Sequence, residues 1–120
     1  MQSGAHAYAR MAQQTANPRE REAQLLLRAA ARFAAVQAAE SFDRSAAREA
    51  ALFNRKLWTV FLSSVLRKEN PLDADTKTNI KKIAMFVLDR CAAIELRPAP
   101  EQMTALIRIN RNLAEGLRGG

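Results

Sequence analysis

The sequence has few of the residues on which disulfide scaffolds, metal sites and active sites depend. It contains one cysteine, Cys91, and one histidine, His6, among 120 residues. A single cysteine excludes an intrachain disulfide, and this distant pair does not make a zinc site. No nucleophile with a positioned base and no glycine-rich phosphate loop is evident. We therefore predict a protein that is not an enzyme and that holds no metal and no cofactor.

Glycine, proline and long apolar runs are also scarce. There are four glycines and four prolines, and neither a run of alternating β-branched residues nor an Asn-Gly or Asp-Gly hairpin occurs. No stretch approaches the roughly 20 apolar residues of a membrane span. Residues 1–17 lack the continuous apolar segment of a signal peptide. These absences predict a cytoplasmic protein without strands and without membrane insertion.

Helix-forming residues, by contrast, are abundant. Alanine, leucine, arginine, glutamine and glutamate have low intrinsic costs in helices, and 48% of the chain is hydrophobic. The length suits one domain. The net charge of +7 is spread along the chain without a dense basic run. A solvated basic surface is the simpler interpretation, and contact with nucleic-acid phosphates is the alternative.

Capping and breaking signals divide the chain into helices. Asn17 followed by Pro18 is typical of a helix N-terminus, Asp73 or Asp75 can cap the third helix, and Pro71 marks a break before it. The predicted elements are a partly ordered arm at 1–16 and helices at about 17–39, 43–67, 73–96 and 100–117. Short linkers between them favour a single all-α domain over residues 1–120, resembling a four-helix bundle.

Helical periodicity assigns one apolar face to each helix. The predicted core positions are Leu26, Ala30, Phe33 and Ala34, then Phe53, Leu57, Val60, Phe61 and Val65, then Ile80, Ile83, Ala84, Val87, Cys91 and Ile94, and finally Met103, Leu106, Ile107, Leu113 and Leu117. Leu52, Leu62 and Leu66 fall on the other side of the second helix, and Met85 and Leu96 point away from the core face of the third. The second helix is then either central to the bundle or open to a partner on its second side.

Two asparagines interrupt these apolar faces. Asn54 lies among apolar residues of the second helix, and Asn110 among those of the fourth. A buried amide must be hydrogen-bonded, so these side chains either specify helix register or contact the backbone of a partner. Trp58, at the edge of the apolar cluster, is expected to anchor the core.

Arginines form two stripes on the helices. Arg44, Arg48 and Arg55 lie within about 40° of one another on the second helix. A looser stripe on the fourth helix contains Arg108, Arg111 and Arg118. Both stripes are most simply solvated faces. Either could instead meet an acidic partner or an RNA backbone, although no recognisable DNA-binding helix motif is evident.

Four stretches of the sequence together resemble the flagellar biosynthesis regulator family FlaF of alphaproteobacteria. They are AYARMAQQTANPRE at 7–20, NRKLW at 54–58, IAMFVLDR at 83–90 and LIRINRNLAEGLR at 106–118. The resemblance lies in their combination and order and spans nearly the whole chain. It implies a cytoplasmic helper of flagellin synthesis or secretion, paired functionally with the partner regulator FlbT, and it carries over no catalytic residue.

Two functions agree with this resemblance. The first is a chaperone-like adaptor that binds the aggregation-prone amphipathic ends of flagellin in a hydrophobic groove, with FlbT as a further partner. The alternative is a post-transcriptional regulator that binds flagellin mRNA, alone or in a complex with FlbT. The candidate partner-binding residues are Leu52, Asn54, Arg55, Trp58, Leu66, Met85, Asn110 and Arg111.

Overall fold

The computed structural model describes residues 18–119, and this part of the chain is helical without strands. The helices are α1 (Pro18–Ala38), α2 (Arg44–Val65), α3 (Ala74–Leu96) and α4 (Thr104–Leu117), and a short 3-10 helix, Pro100–Met103, precedes α4. The all-α prediction is confirmed. The predicted arm at 1–16 and the predicted cap Asn17 lie outside the described residues.

Aspartate side chains begin α2 and α3. The Asp43 carboxylate accepts a hydrogen bond of 3.0 Å from the backbone N–H of Ala46, and Asp73 accepts one of 2.7 Å from that of Thr76. Each bond satisfies an N–H group that has no partner within its own helix. Hydrogen bonding to Thr76 holds the pKa of Asp73 below its usual value. Of the two caps considered for α3, Asp73 is the one used.

The proline-marked breaks are present, and the second one moves the start of α4. Before Pro71, Asn70 donates to the carbonyl of Ser64 and accepts from the N–H of Leu72. Near Pro100, the Gln102 side chain accepts a hydrogen bond of 2.9 Å from the backbone N–H of Ala99. The chain forms a tight 3-10 turn there, so α4 begins at Thr104 and not near residue 100.

Helix packing follows the order α4–α1–α2–α3. The contacts of α1 with α4 and of α2 with α3 are extensive, whereas α1 and α2 approach each other along a shorter stretch. Small side chains allow the close approaches, since Ala23, Ala30, Ala47 and Ala51 are buried. At the end of the molecule where α1 begins, Arg118 forms a salt bridge of 2.8 Å with Glu20 and ties α4 to α1.

Trp58 lies at the centre of the core, as predicted. Its side chain is fully buried and meets the Phe61 ring edge-on, with 5.6 Å between the ring centroids. Phe33, Leu26 and Ile94 are the other largest side chains of this core.

Two predicted core residues are exposed instead. Val60 is 69% exposed because its part of α2 faces an open groove beside α1. Ile83 is 41% exposed because α3 makes its extensive contact with α2 alone, which leaves one edge of its apolar face uncovered. Periodicity identifies apolar faces, but how far a neighbouring helix covers each face depends on packing.

Candidate functional site

An apolar groove of about 530 Å³ lies between α1 and α2. Its α1 wall contains Leu25 and Leu26, and its α2 wall contains Leu57, Val60 and Phe61. Leu26 and Phe61 are buried, Leu25 and Leu57 are half-buried, and Val60 is mostly exposed. The volume lies within the range of about 300–1,000 Å³ that is typical of ligand pockets. The groove therefore offers apolar surface to a partner while its floor belongs to the core.

The hydroxyl groups along the α2 wall do not make this wall strongly polar. Thr59 donates its hydroxyl to the carbonyl of Arg55 at 2.8 Å, and Ser63 donates to the carbonyl of Thr59 at 3.0 Å. Both bonds lie within α2 and satisfy the hydroxyl hydrogens locally. An apolar ligand can therefore cover this wall without leaving these donors unpaired.

A second cavity of about 300 Å³ continues the groove towards the N-terminus of α1. The two cavities share Glu22, Phe61 and Ser64. The second is closed below by the loop after α2, where Leu72 lies, and by Leu117 of α4. Together the cavities form one apolar channel along the α1–α2 junction, interrupted by the carboxylate of Glu22.

The Glu22 carboxyl is half-buried at this junction. Burial raises its pKa above the usual value, and the positive charge of Arg19 offsets only part of this effect. Within residues 18–119 it forms no salt bridge and no side-chain hydrogen bond. At neutral pH it places negative charge in a largely apolar channel.

At the other end of α2, a cation packs on an aromatic ring next to the groove. The Arg32 guanidinium lies 4.3 Å from the centroid of the Phe53 ring. This contact joins α1 to α2 where the groove ends, and it covers a ring that would otherwise be open to solvent.

Three of the residues predicted to bind a partner form an internal hydrogen-bonded network. The indole N–H of Trp58 donates to Asn110 at 2.9 Å, the Asn110 amide donates to Asn54 at 2.8 Å, and the Asn54 amide donates to the sulfur of Cys91 at 3.3 Å. All four side chains are fully buried. Trp58, Asn54 and Asn110 have no surface to offer a partner in this fold, which corrects their assignment as binding candidates. Their geometry agrees with the alternative, in which buried amides fix the register of helices.

Cys91 ends this network inside the core. Burial raises the pKa of its thiol to about 11, since the charged form is poorly solvated there. The group stays a neutral thiol at physiological pH and is a poor nucleophile.

The arginine stripe of α2 is engaged with the C-terminal end of α3. Arg55 forms a two-pronged salt bridge with the Glu95 carboxylate, at 2.8 and 3.1 Å, and is half-buried. Arg48 donates to the backbone carbonyl of Glu95 at 3.0 Å, while Arg44 is exposed. Two of the three arginines thus hold α2 against α3, and this reduces the positive surface left for a phosphate backbone.

The remaining candidates lie away from the groove. Leu66 is 49% and Met85 53% exposed, Leu52 is half-buried, and Arg111 is exposed beside a shallow depression between α1 and α4. By helical periodicity Leu66 lies about 20° from Arg55, on the side of α2 that faces α3. The structure therefore does not unite these residues with the groove.

Sequence reasoning missed Glu22 and Leu25 as site residues. A signal for Leu25 exists in the run Leu25-Leu26-Leu27, which places apolar side chains on more than one side of α1. For Glu22 there is no such signal, because its burial depends on how closely α2 and the loop near Leu72 approach α1.

Two further properties bear on function. None of the helices within residues 18–119 contains a segment long and apolar enough to cross a lipid bilayer. In the same part of the chain, no three acidic, histidine or cysteine side chains come together as metal ligands.

Comparison with known proteins identifies the family. The pattern of one family, described as flagellar protein FlaF, matches residues 4–117. No curated protein and no solved structure matches the chain. Because the match covers nearly the whole chain, including both walls of the groove and the buried network, this chain belongs to the FlaF family of flagellar proteins.

Proposed function

We propose that this protein is a chaperone-like adaptor that binds an amphipathic helical segment of flagellin in the groove between α1 and α2, in the cytoplasm before export. The observation that carries the proposal is the groove itself, with about 530 Å³ of largely apolar surface open to solvent in a FlaF protein. Soluble proteins seldom leave a contiguous apolar surface without a use.

The shape of the groove suits a helix as ligand. Its walls are two helices, so apolar side chains repeated at i, i+3, i+4 and i+7 on one face of a bound helix can enter it in succession. Leu25 and Val60 on opposite walls would contact such anchors. Covering an amphipathic segment in this way hides its apolar face and opposes aggregation, which is the work of an adaptor.

The alternative function, binding of flagellin mRNA, has less support from the geometry. Phosphate binding requires arginine and lysine side chains that are free to approach a nucleic acid. Arg48 and Arg55 are instead occupied by Glu95. FlbT remains a proposed partner of either activity.

Binding of purified flagellin to Val60→Asp tests the proposal. Val60 is mostly exposed, so the variant is expected to fold, while the new carboxylate introduces a charge into the apolar wall. We expect flagellin affinity to fall by about tenfold or more, equivalent to about 1.4 kcal/mol per factor of ten. Isothermal titration at low and high salt measures it.

Leu96→Asp is the matched control, since Leu96 is 83% exposed on α3 and does not line the groove. It should bind flagellin like the wild type. Wild-type affinity in Val60→Asp, or strong binding of the flagellin transcript with none of the protein, would contradict the adaptor function.

A further inference from the structure

The groove contains one acid and one base among otherwise apolar or hydroxyl-bearing side chains. Glu22 lies on the α1 wall and Arg67 at the end of the α2 wall. Glu22 differs from Arg67 in its position, because it also lines the second cavity and thus lies where the two apolar spaces meet. Any ligand that fills both cavities must pass this carboxylate.

The carboxylate of Glu22 has no salt-bridge or hydrogen-bond partner among the side chains of residues 18–119. Arg19, which precedes it by one helical turn, lowers its pKa by charge alone and less than burial raises it. A half-buried carboxylate without a hydrogen-bonded partner is disfavoured relative to one in water. The free protein thus carries a local cost at the centre of its proposed binding site.

Binding changes this cost in one of two directions. A purely apolar helix would remove the remaining water from Glu22 and be penalised for it. A helix with a lysine or arginine at this point would supply the missing partner, and the pair would form where solvent screening is reduced.

We propose that Glu22 is a specificity-determining residue that pairs with a lysine or arginine of the bound helix. The proposal rests on the proposed function, since it takes the α1–α2 groove as the flagellin site. The recognised segment then has a definite pattern: apolar anchors beside Leu25 and Val60, a cation about one helical turn farther on, and another apolar anchor in the cavity near Leu72 and Leu117.

Glu22→Gln tests this pairing because it keeps the shape of the side chain and removes its charge. We expect its affinity for purified flagellin to fall about tenfold at low salt, and the salt dependence of binding to become weaker than in the wild type. Glu22→Lys should bind more weakly still. Glu101→Gln, an exposed acid before α4 that lines neither cavity, is the matched control and should bind like the wild type.

The outcomes separate the two proposals. If the wild type does not bind flagellin, or if Val60→Asp binds like the wild type, the groove is not the flagellin site and both proposals fail. If Val60→Asp loses binding while Glu22→Gln binds as tightly as the wild type or tighter, the adaptor function stands and the role of Glu22 is overturned. Restored binding between Glu22→Lys and a flagellin in which one groove-facing lysine or arginine is replaced by glutamate would establish the pair.

Discussion

Helix α2 has two sides of opposite character. The side towards α3 and α4 is filled, with Trp58 and Asn54 fully buried and hydrogen-bonded across three helices. The side towards α1 is partly open, with Val60 exposed above an apolar floor. The same helix therefore contributes both the most constrained part of the fold and its most accessible apolar surface. Stability and binding are expected to respond to different residues, even residues two positions apart.

Trp58→Ala should give the largest loss of stability. It removes a fully buried indole from the centre of the core and leaves the Asn110 oxygen without its donor. Truncating a large buried aromatic typically costs about 3–5 kcal/mol. Chemical denaturation measures the loss. A free energy of unfolding close to that of the wild type would mean that this side of α2 is no better packed than the groove side.

Asn110→Ala should come next. The substitution leaves both the Trp58 N–H and the Asn54 carbonyl oxygen buried without their partners. Leaving a buried polar group unpaired costs about 1–3 kcal/mol. A double-mutant cycle with Asn54→Ala measures the coupling, because residues in one network are not additive. Additive losses would contradict the network.

Asp73→Ala should lower stability less, and in a pH-dependent way. Hydrogen bonding holds the folded-state pKa of Asp73 below its unfolded value. This contribution is present above the unfolded pKa and is lost as pH falls through the folded pKa. The stability difference between wild type and variant, followed by thermal melts from neutral to acidic pH, should therefore shrink on acidification. A difference that grows as pH falls would be inconsistent with the cap.

Glu22→Gln should have the smallest effect on stability and the opposite sign. Burial raises the folded-state pKa of Glu22, so its charged form is disfavoured in the folded protein at neutral pH. Removing the charge should slightly raise the melting temperature at pH 7, and the advantage should fade as acid protonates the wild-type carboxyl. A lower melting temperature would show that Glu22 stabilises the fold and does not pay for a binding role.

The sequence predicts the boundaries of the first three helices to within a few residues, because their punctuation is local. Asp73 and Pro71 act through the backbone beside them. The start of α4 is displaced because the 3-10 turn depends on a side-chain bond from Gln102. Sequence reasoning placed Asn54 and Asn110 within apolar faces, but not against each other, since their pairing depends on how α2 meets α4.

The groove is harder to predict than the core for the same reason. Val60 and Phe61 are neighbours in one apolar stripe, yet one is exposed and the other buried. The difference arises from how far α1 covers α2, which no periodicity reports. Residues that matter for packing are thus readable from the pattern, whereas residues that remain free for binding follow from the space between helices.

Site-specific photo-crosslinking tests the central claim most directly. A photoreactive amino acid at Val60 samples the open side of α2, and one at Met85 samples an exposed position on α3 that does not line the groove. On mixing with purified flagellin and illumination, we predict a crosslinked adduct from position 60 and little from position 85. Efficient crosslinking from position 85 with none from position 60 would contradict the assignment of the α1–α2 groove as the flagellin site.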